Sequence, residues 1–347
     1  MAIKPQKYLV IRLSSIGDIV HTLPAVSALG ETFPDSEITW LVESHYATIL
    51  EGNPYVHRVV EIDTLGWRKR LASPETARQI VHCLRRLRED LFDAVIDFQG
   101  LVKTGLLARL CRARGRVGFA RPWLKEAAAG VFYNRRVSAT GRKHAIEEAF
   151  ALVEHLGAQR GPWRFPLPCR DQDDEYVDRA LCRTAAKDFI LINPGGGWRA
   201  KRWPPALYSD LIGRLDSECS LEMILSGSSG EEEEIQAIIQ NSGSSRARYF
   251  PTSLLQFAAL ARRGKLFIGG DTGPLHVAAA LNVPIVALYG PTDPARNGPF
   301  SSADIVLSTR QPVNHTRRAK DPNYLKGISV DDAVRAVHAR LARANER

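Results

Sequence analysis

FIGGDTGPLHVAAALNVPIVALYGPTDP, residues 267–294, is the stretch that says most about the fold of this chain. It joins two apolar segments of strand length through the turn Gly-Asp-Thr-Gly-Pro and a short Ala-rich segment of helical composition. A strand, a turn, a helix and a second strand in this order form the repeating unit of a parallel sheet. The turn precedes a helix amino terminus, whose first N–H groups and dipole favour an anion such as phosphate.

The residues of this turn, from Asp271 to His276, suit a phosphate site. Gly273 lets the backbone approach a ligand closely, Pro274 can occupy the first helical position, and His276 lies one turn into the helix, where it can add a donor. A structural turn with a buried His fits the stretch alone equally well. The other loops of the chain favour the phosphate site.

Strands and helices alternate along the whole chain, which predicts an α/β fold with doubly wound parallel sheets. Ten strands are predicted, at 8–13, 38–42, 58–62, 94–97, 117–119, 189–193, 221–226, 247–250, 266–268 and 284–289. A Pro-rich break near 161–168 divides them into two Rossmann-like halves that would face each other across a cleft. We therefore predict an N-terminal domain at 1–162, a linker at 163–172, a C-terminal domain at 173–328, and a helix at 329–347 that could pack back on the first domain.

The composition is that of a soluble globular protein, with 44% hydrophobic and 24% charged residues. No apolar stretch is long enough for a membrane span, and the amino terminus has no signal-peptide pattern, so we expect a cytoplasmic protein. Five Cys without CxxC spacing argue against a disulfide framework or a zinc site. No local metal-ligand cluster is present, and we expect neither a metal nor a cofactor.

The chain is basic, with a net charge of +9. Residues 1–160 contain 23 Lys and Arg against 17 Asp and Glu and so carry most of the excess. A basic surface suits nucleic acid, anionic lipid or a phosphorylated substrate. Because no nucleic-acid-binding signature accompanies the charge, we expect no nucleic-acid partner.

The loop LSSIGDIVHTLP (13–24) follows the first predicted strand and offers a candidate general base. Gly17 permits a tight turn, and Asp18 begins a helix, whose amino terminus stabilises an ionised carboxylate by about 0.3–1 kcal/mol. An ionised, exposed Asp18 can act as a base, although capping the helix is the commoner role of such a residue. The loop lacks the GxGxxG fingerprint, which argues against a dinucleotide dehydrogenase.

Two loops of the second half suit a nucleotide diphosphate. In NPGGGWRAKRWP (193–204), three Gly leave room for a ligand, and Lys201 can neutralise a diphosphate leaving group without a metal. In SGSSGEEEE (226–234), one carboxylate can accept hydrogen bonds from a ribose, while the others are dipole-favoured surface charge. The alternative for Lys201 and Arg202 is a solvated loop pair.

These motifs resemble the ADP-heptose:lipopolysaccharide heptosyltransferases of glycosyltransferase family 9, and among them the heptosyltransferase I branch. The resemblance covers nearly the whole chain and rests on SSIGDIVHTLP (14–24), DFQGLVKTGLLARL (97–110), FYNRR (132–136), AKRWP (200–204), GGDTGPLHVAAAL (269–281) and LYGPTDP (288–294). It implies a GT-B enzyme, metal-independent and inverting, that moves heptose from ADP-L-glycero-D-manno-heptose to the Kdo region of the lipopolysaccharide inner core.

The resemblance also implies roles for individual residues. Asp18 would be the catalytic base in an N-terminal, acceptor-binding domain. The donor, ADP-heptose, would be bound by Gly17, Gly196, Gly197, Lys201, Glu231, Asp271, Thr272, Gly273 and His276. The acceptor, Kdo-lipid A, would be bound by the basic residues Lys103, Arg121 and Lys125.

Three alternatives remain open at this stage. AKRWP also resembles the heptosyltransferase II branch, which would transfer to the first heptose. A GT-B-like nucleotide-sugar epimerase would act on the donor alone, and a non-catalytic binding protein would use Asp18 only as a cap. Trp67, beside Arg68, Lys69 and Arg70, could rest on the cytoplasmic face of the inner membrane.

Overall fold

The computed structural model describes residues 6–70, 72–182, 188–309 and 324–345 and divides into two compact units, Met1–Pro168 and Cys169–Arg347. The division falls inside the segment 163–172 that the sequence predicts as a linker. Each unit contains one parallel sheet with its own buried core. The predicted α/β class, with two Rossmann-like doubly wound sheets, is confirmed.

The sheet of the first unit has six parallel strands in the order β3-β2-β1-β4-β5-β6. The strands are β1 (Lys7–Ile11), β2 (Glu37–Glu43), β3 (Arg58–Ile62), β4 (Phe92–Asp97), β5 (Ala113–Phe119) and β6 (Arg135–Val137). The central strands are nearly continuous runs of buried apolar residues, as in Leu9–Ile11 and Val95–Ile96, because helices cover both faces of a parallel sheet.

The described residues of the first unit form five helices. They are α1 (Ile16–Thr32), α2 (Thr64–Lys69), α3 (Pro74–Arg88), α4 (Val102–Leu110) and α5 (Ala145–Glu154). Its connections also contain the 3-10 helices Ser44–Leu50, Arg121–Trp123 and Ala127–Phe132.

The sheet of the second unit has the order β12-β11-β10-β7-β8-β9. Its strands are β7 (Phe189–Asn193), β8 (Glu222–Gly227), β9 (Ala247–Pro251), β10 (Leu266–Gly270), β11 (Ile285–Tyr289) and β12 (Ile305–Ser308). Counted from its own first strand, this order is the same as that of the first unit. Both are the Rossmann order, in which ligands bind where the strand order reverses.

The part of the second unit that the structure describes contains seven helices: α6 (Asp171–Cys182), α7 (Pro205–Glu218), α8 (Glu232–Ser242), α9 (Leu254–Ala261), α10 (Gly273–Ala280), α11 (Pro294–Asn297) and α12 (Val330–Asn345). Further 3-10 helices are Arg199–Lys201, Ser229–Glu231 and Tyr324–Gly327. The final helix α12 places Ala333 and Val337 in the core of this unit and contacts α7 and β11. Its packing on the first domain stays a prediction.

All ten predicted strands are present, whereas the sequence reading missed β6 and β12. Both are short edge strands, at the last position of their sheets. In β6, Arg135 and Arg136 are exposed and only Val137 is buried, so the segment lacks the apolar run of the central strands. Ile305 and Leu307 of β12 are only partly buried against the core.

Candidate active site

Asp18 lies in the first turn of α1, directly after the carboxyl end of β1. Its carboxylate accepts hydrogen bonds from the backbone N–H and the hydroxyl of Ser15, at 3.2 and 3.3 Å, and so completes a capping box. The helix begins at Ile16, two residues before the predicted start, which puts Gly17 inside the first helical turn rather than in a tight turn. The cap role of Asp18 is therefore real, but it is only one of its contacts.

Two cations from other parts of the first unit also contact Asp18. Arg12 of the segment after β1 donates through Nη2 to Oδ1 of Asp18 and through Nη1 to the carbonyl of Phe98. Nζ of Lys125 lies 3.5 Å from the other carboxylate oxygen. Arg12 is buried, with 8% of its side chain exposed, whereas Asp18 retains 23% exposure.

These cations determine the ionisation of Asp18. Burial alone would raise the pKa of the carboxyl, but the charges of Arg12 and Lys125 outweigh it and hold the pKa well below its usual value. The hydrogen bond from the Ser15 backbone acts in the same direction. Asp18 is consequently ionised at neutral pH, and its exposed part is open to a substrate.

A buried network holds the loops around Asp18. The fully buried Asp97, at the end of β4, accepts hydrogen bonds from the Tyr133 hydroxyl at 2.7 Å and the Gln99 backbone at 2.8 Å. The Gln99 side chain in turn accepts from the backbone N–H of Leu13, at 2.8 Å. Burial raises the pKa of Asp97. The network joins the ends of β1 and β4, which are the two strands where the order of this sheet reverses.

The three predicted acceptor residues occupy different surroundings. Lys125 contacts Asp18, as described. Lys103, on α4, lies 3.2 Å from the Thr64 hydroxyl and 3.8 Å from the buried carboxylate of Glu43. Arg121 is exposed on its 3-10 helix and forms no ion pair within the described ranges. The structure thus brings one of the three basic residues to Asp18.

In the second unit, a buried carboxylate gathers three donors at the end of β10. Oδ2 of Asp271 accepts from Nζ of Lys201 at 2.5 Å and from the hydroxyl of Thr292 at 2.6 Å. Oδ1 lies 3.0 Å from Nε2 of His276. Lys201 also lies 5.7 Å from the centre of the Trp198 ring, within cation–π range.

The surroundings of Asp271 keep it ionised. Its side chain is 3% exposed, and burial alone would raise its pKa. The hydrogen bond with His276 and the ion pair with Lys201 outweigh burial and hold the pKa well below its usual value. His276 itself is buried, with 9% of its side chain exposed, so its described role is to hold Asp271. Direct donation from His276 to a phosphate stays a prediction.

The Gly-rich loop after β7 packs against two of the other predicted donor-binding residues. A methyl group at Gly195 would lie 2.1 Å from Oε1 of Glu231, and one at Gly196 would lie 3.0 Å from the Thr272 side chain. Only Gly allows these approaches without displacement. Gly197 is exposed and has open space around it. Gly195, Gly196, Glu231 and Thr272 therefore lie together, at the ends of β7, β8 and β10.

The amino terminus of α10 offers hydrogen-bond donors at this edge of the sheet. Thr272 is the N-cap, Gly273 the first helical residue and Pro274 the second. The Thr272 hydroxyl is buried and has no hydrogen-bond partner among the residues that the structure describes. The first N–H groups of a helix have no partner inside it, so this end suits an anion. Because β7 and β10 are where the order of the second sheet reverses, the site has the usual position of a Rossmann ligand.

The sequence over residues 80–326 matches the family model described as glycosyltransferase family 9 (heptosyltransferase). The chain belongs to glycosyltransferase family 9. It is therefore a glycosyltransferase of the heptosyltransferase type, as the motifs predicted.

Individual relatives in this family cover most of the chain. It is 30% identical to lipopolysaccharide heptosyltransferase 1 of Pseudomonas aeruginosa over 309 residues, which is 88% of this chain and 84% of that one. It is 29% identical to the Escherichia coli K12 protein of the same name over 305 residues, 86% of this chain and 92% of that one. The solved structure of E. coli heptosyltransferase WaaC with ADP is similar to this chain with a TM-score of 0.79 and 26% identity, over 96% of this chain and 100% of that one.

Four residues of this family 9 protein form hydrogen bonds around Asp18 or Asp271 that the sequence analysis did not predict. They are Arg12, Asp97, Gln99 and Thr292. For Arg12 a signal existed, since a charged residue directly after an apolar strand needs an anion, and Asp18 follows six residues later. The partners of Thr292 and Gln99 are distant in sequence, and no local pattern indicates them.

The described residues of this glycosyltransferase lack two kinds of feature. Within the described ranges, no three or more His, Cys, Asp and Glu side chains are grouped so that they could hold a metal ion. In the same residues, no helix combines the length and apolar character of a membrane span. Trp67 packs partly on the core and donates to Gln79 at 3.0 Å, so contact of this segment with a membrane stays a prediction.

Proposed function

We propose that this family 9 enzyme transfers heptose from ADP-L-glycero-D-manno-heptose to the Kdo region of the lipopolysaccharide inner core, as a heptosyltransferase I. Its relatives named lipopolysaccharide heptosyltransferase 1 support the assignment to the heptosyltransferase I branch. The observation that carries the proposal is Asp18, an ionised and partly exposed carboxylate where the strand order of its sheet reverses.

The second unit binds the donor in this proposal. The amino terminus of α10 and the Thr272 hydroxyl donate to the diphosphate, and Lys201 supplies the positive charge that a metal supplies in other enzymes. Glu231, whose carboxylate fills the space beside Gly195, accepts hydrogen bonds from the ribose. The E. coli WaaC structure with ADP supports ADP as the nucleotide.

The reaction is a single displacement. The acceptor hydroxyl oxygen attacks the anomeric carbon from the face opposite the diphosphate, the bond to ADP breaks, and ADP leaves with the electron pair. The hydroxyl proton passes to Asp18. Since the pKa of Asp18 is low, the carboxylate does not take up a proton from water. The acceptor hydroxyl becomes acidic as its oxygen forms the new C–O bond, and its proton passes to Asp18 at that point. The configuration at the sugar carbon inverts.

The acceptor is anionic, and basic residues of the first unit are proposed to bind it. Lys125 is paired with Asp18, and an acceptor carboxylate or phosphate that attracts Lys125 would leave Asp18 with a higher pKa and a stronger basicity. Lys103 and Arg121 would bind further anionic groups of the acceptor.

ADP release from ADP-L-glycero-β-D-manno-heptose tests the proposal, with heptose-free Kdo₂-lipid A and without it. Release that requires this acceptor supports heptosyltransferase I, and release only with an acceptor that already carries heptose indicates heptosyltransferase II. Release without any acceptor indicates hydrolysis or epimerase-like chemistry and contradicts the proposal. We expect EDTA to leave the rate of ADP release unchanged, because Lys201 takes the place of a metal.

The variant Asp18→Asn tests the base. Loss of general-base catalysis lowers the rate by about a hundredfold to ten-thousandfold. ADP binding should not change, because the proposed ADP site belongs to the second unit. Turnover near that of the parent enzyme would contradict the role of Asp18, and loss of folding, measured by circular dichroism, would be assigned instead to the unpaired Arg12.

A further inference from the structure

The carboxylate of Glu43 is buried at the end of β2, the strand next to β1 in the first sheet. Only 2% of its side chain is exposed, and burying a charge is costly unless other groups bond to it. Its Oε2 accepts a hydrogen bond from the backbone N–H of Thr64, at 3.0 Å, and its Oε1 accepts one from the Thr64 hydroxyl. The backbone N–H of Glu43 donates to the carbonyl of Leu13, at 3.1 Å. Glu43 therefore fixes the start of α2 relative to the segment that leads to Asp18.

The hydroxyl of Thr64 connects this carboxylate to Lys103, on α4. Nζ of Lys103 lies 3.2 Å from the hydroxyl oxygen of Thr64 but 3.8 Å from Oε1 of Glu43, which is beyond hydrogen-bond distance. An ammonium only donates and a carboxylate only accepts, whereas a hydroxyl donates its single proton and also accepts. The order of donation is therefore fixed, because Lys103 donates to Thr64 and Thr64 donates to Glu43. We define these three residues as the Glu43 relay.

The outer end of the relay remains open to a ligand. The Lys103 side chain is 38% exposed, and the hydrogen bond to Thr64 uses one of its three N–H donors. Its helix is also bonded to the segment of the other proposed acceptor lysine, Lys125. The backbone N–H of Val102 donates to the carboxylate of Glu126, at 2.6 Å, and Glu126 directly follows Lys125. The two lysines are thus held on segments of the first unit that bond to each other.

We propose that Thr64, held in place by Glu43, is a positioning residue of this transferase that keeps Lys103 available for an anionic group of the acceptor. This inference rests on the proposed function, in which Lys103 binds the acceptor. Without the Thr64 hydroxyl, Oε1 of Glu43 loses a hydrogen bond, and the ammonium 3.8 Å away can move in to replace it. A Lys103 side chain that binds the buried carboxylate directly offers less of its charge to a carboxylate or phosphate of the acceptor.

The dependence of ADP release on acceptor concentration, measured with heptose-free Kdo₂-lipid A, tests this role. Thr64→Ala should raise the KM for the acceptor by about tenfold, the effect of losing one charge-assisted hydrogen bond. The kcat should not change, because Asp18 keeps its contacts with Arg12 and Lys125. The KM for ADP-heptose should not change either, because the proposed donor site belongs to the second unit. Thr64→Ser keeps the hydroxyl and should have an acceptor KM close to that of the parent enzyme.

Thr32→Ala is the matched control. The Thr32 hydroxyl, at the end of α1, also donates and accepts, since it donates to the carbonyl of Ala28 at 2.8 Å and accepts from the backbone N–H of Gln159 at 2.9 Å. Neither of these partners is charged, and both Thr32 and Thr64 are half-buried. Thr32→Ala should lower the stability measured by urea unfolding and leave the acceptor KM unchanged. An equal rise in acceptor KM for Thr32→Ala and Thr64→Ala would overturn the proposal.

Lys103→Ala separates this proposal from the proposed function. Alone it should raise the acceptor KM, and Thr64→Ala should add nothing in its background, because no ammonium is left to position. A rise for Lys103→Ala but none for Thr64→Ala would refute the relay and leave the proposed function standing. The same rise for Thr64→Ala with and without Lys103 would also refute the relay, since Thr64 would then be merely structural. An unchanged KM for Lys103→Ala would contradict the acceptor role of Lys103, and the relay with it.

Discussion

Replacing Asp271 by Asn should destabilise the second unit strongly. The carboxylate is 3% exposed and binds Lys201, His276 and Thr292 within 3.0 Å. Breaking a buried ion pair by removing one partner costs about 3–5 kcal/mol. Because the Lys201 side chain is 20% exposed and can be rehydrated, we expect a loss at the lower end of this range, about 3 kcal/mol. For a unit of this size, that corresponds to a fall in Tm of about 6–12 °C.

Urea and thermal unfolding followed by circular dichroism measure this difference. Asp178→Asn is the matched control, because Asp178 pairs with Arg263 at an exposed position, with 59% of its side chain accessible, and such pairs contribute about 1 kcal/mol or less. A loss below about 1 kcal/mol for Asp271→Asn would refute the reasoning, since Asp271 would then behave as an exposed carboxylate.

The pH dependence gives a second check on the same variant. The pKa of Asp271 is lower in the folded protein than in the unfolded chain. Its contribution to stability is therefore complete above the ordinary Asp pKa of about 3.9 and is lost as the pH falls toward the lowered value. The stability difference between the parent protein and Asp271→Asn should shrink in acid and stay constant near neutrality.

Three other substitutions test the remaining parts of the site. Gly195→Ala should displace the Glu231 carboxylate and weaken ADP binding by about tenfold, which corresponds to the loss of one charge-assisted hydrogen bond. Gly197→Ala is the control, because Gly197 has open space around it and its substitution should leave ADP binding unchanged. Isothermal titration calorimetry with ADP measures both affinities. Lys201→Ala should weaken ADP binding by about tenfold to a hundredfold and lower the rate of heptose transfer. Adenosine has no diphosphate, so its binding should not change. An equal loss of affinity for ADP and adenosine would contradict a contact between Lys201 and the diphosphate. Arg12→Met should raise the pKa of Asp18 and lower the free energy of unfolding in urea by about 3 kcal/mol. Arg12→Lys keeps the positive charge and should therefore cost clearly less. Equal losses of stability for the two variants would contradict a stabilising ion pair between Arg12 and Asp18.

Much of the fold could be predicted because the central strands of a parallel sheet are apolar on both faces. β7, for example, is buried along its whole length, and its bounds agree with the prediction to the residue. The edge strand β6 could not be predicted in the same way, because two of its three residues are exposed Arg. Its position depends on pairing with β5, a tertiary contact that leaves no local pattern.

The site was predictable where it depends on the backbone and less so where it depends on distant pairs. The structure does bring the predicted residues Glu231, Gly196 and Thr272 together, because each lies in a loop between a strand and a helix, and parallel strands bring such loops to one edge; their role in donor binding stays a prediction. The burial of His276 against Asp271 was not the predicted role, because the sequence indicates the helical turn but not which side faces the core. Likewise, no local spacing shows that Lys125, 107 residues from Asp18, contacts it.

The pairing of Arg12 with Asp18 constrains how this enzyme can change over generations. Arg12 is held in the interior, so any substitution that neutralises Asp18 also strands a buried cation. If Asp18 is the base, as proposed, a homologue that has lost the transferase activity should be more stable with uncharged residues at both positions, whereas one that keeps a cation at 12 should also keep the acid at 18. Under the proposed role of Asp18, inactive homologues should therefore lack both charges together.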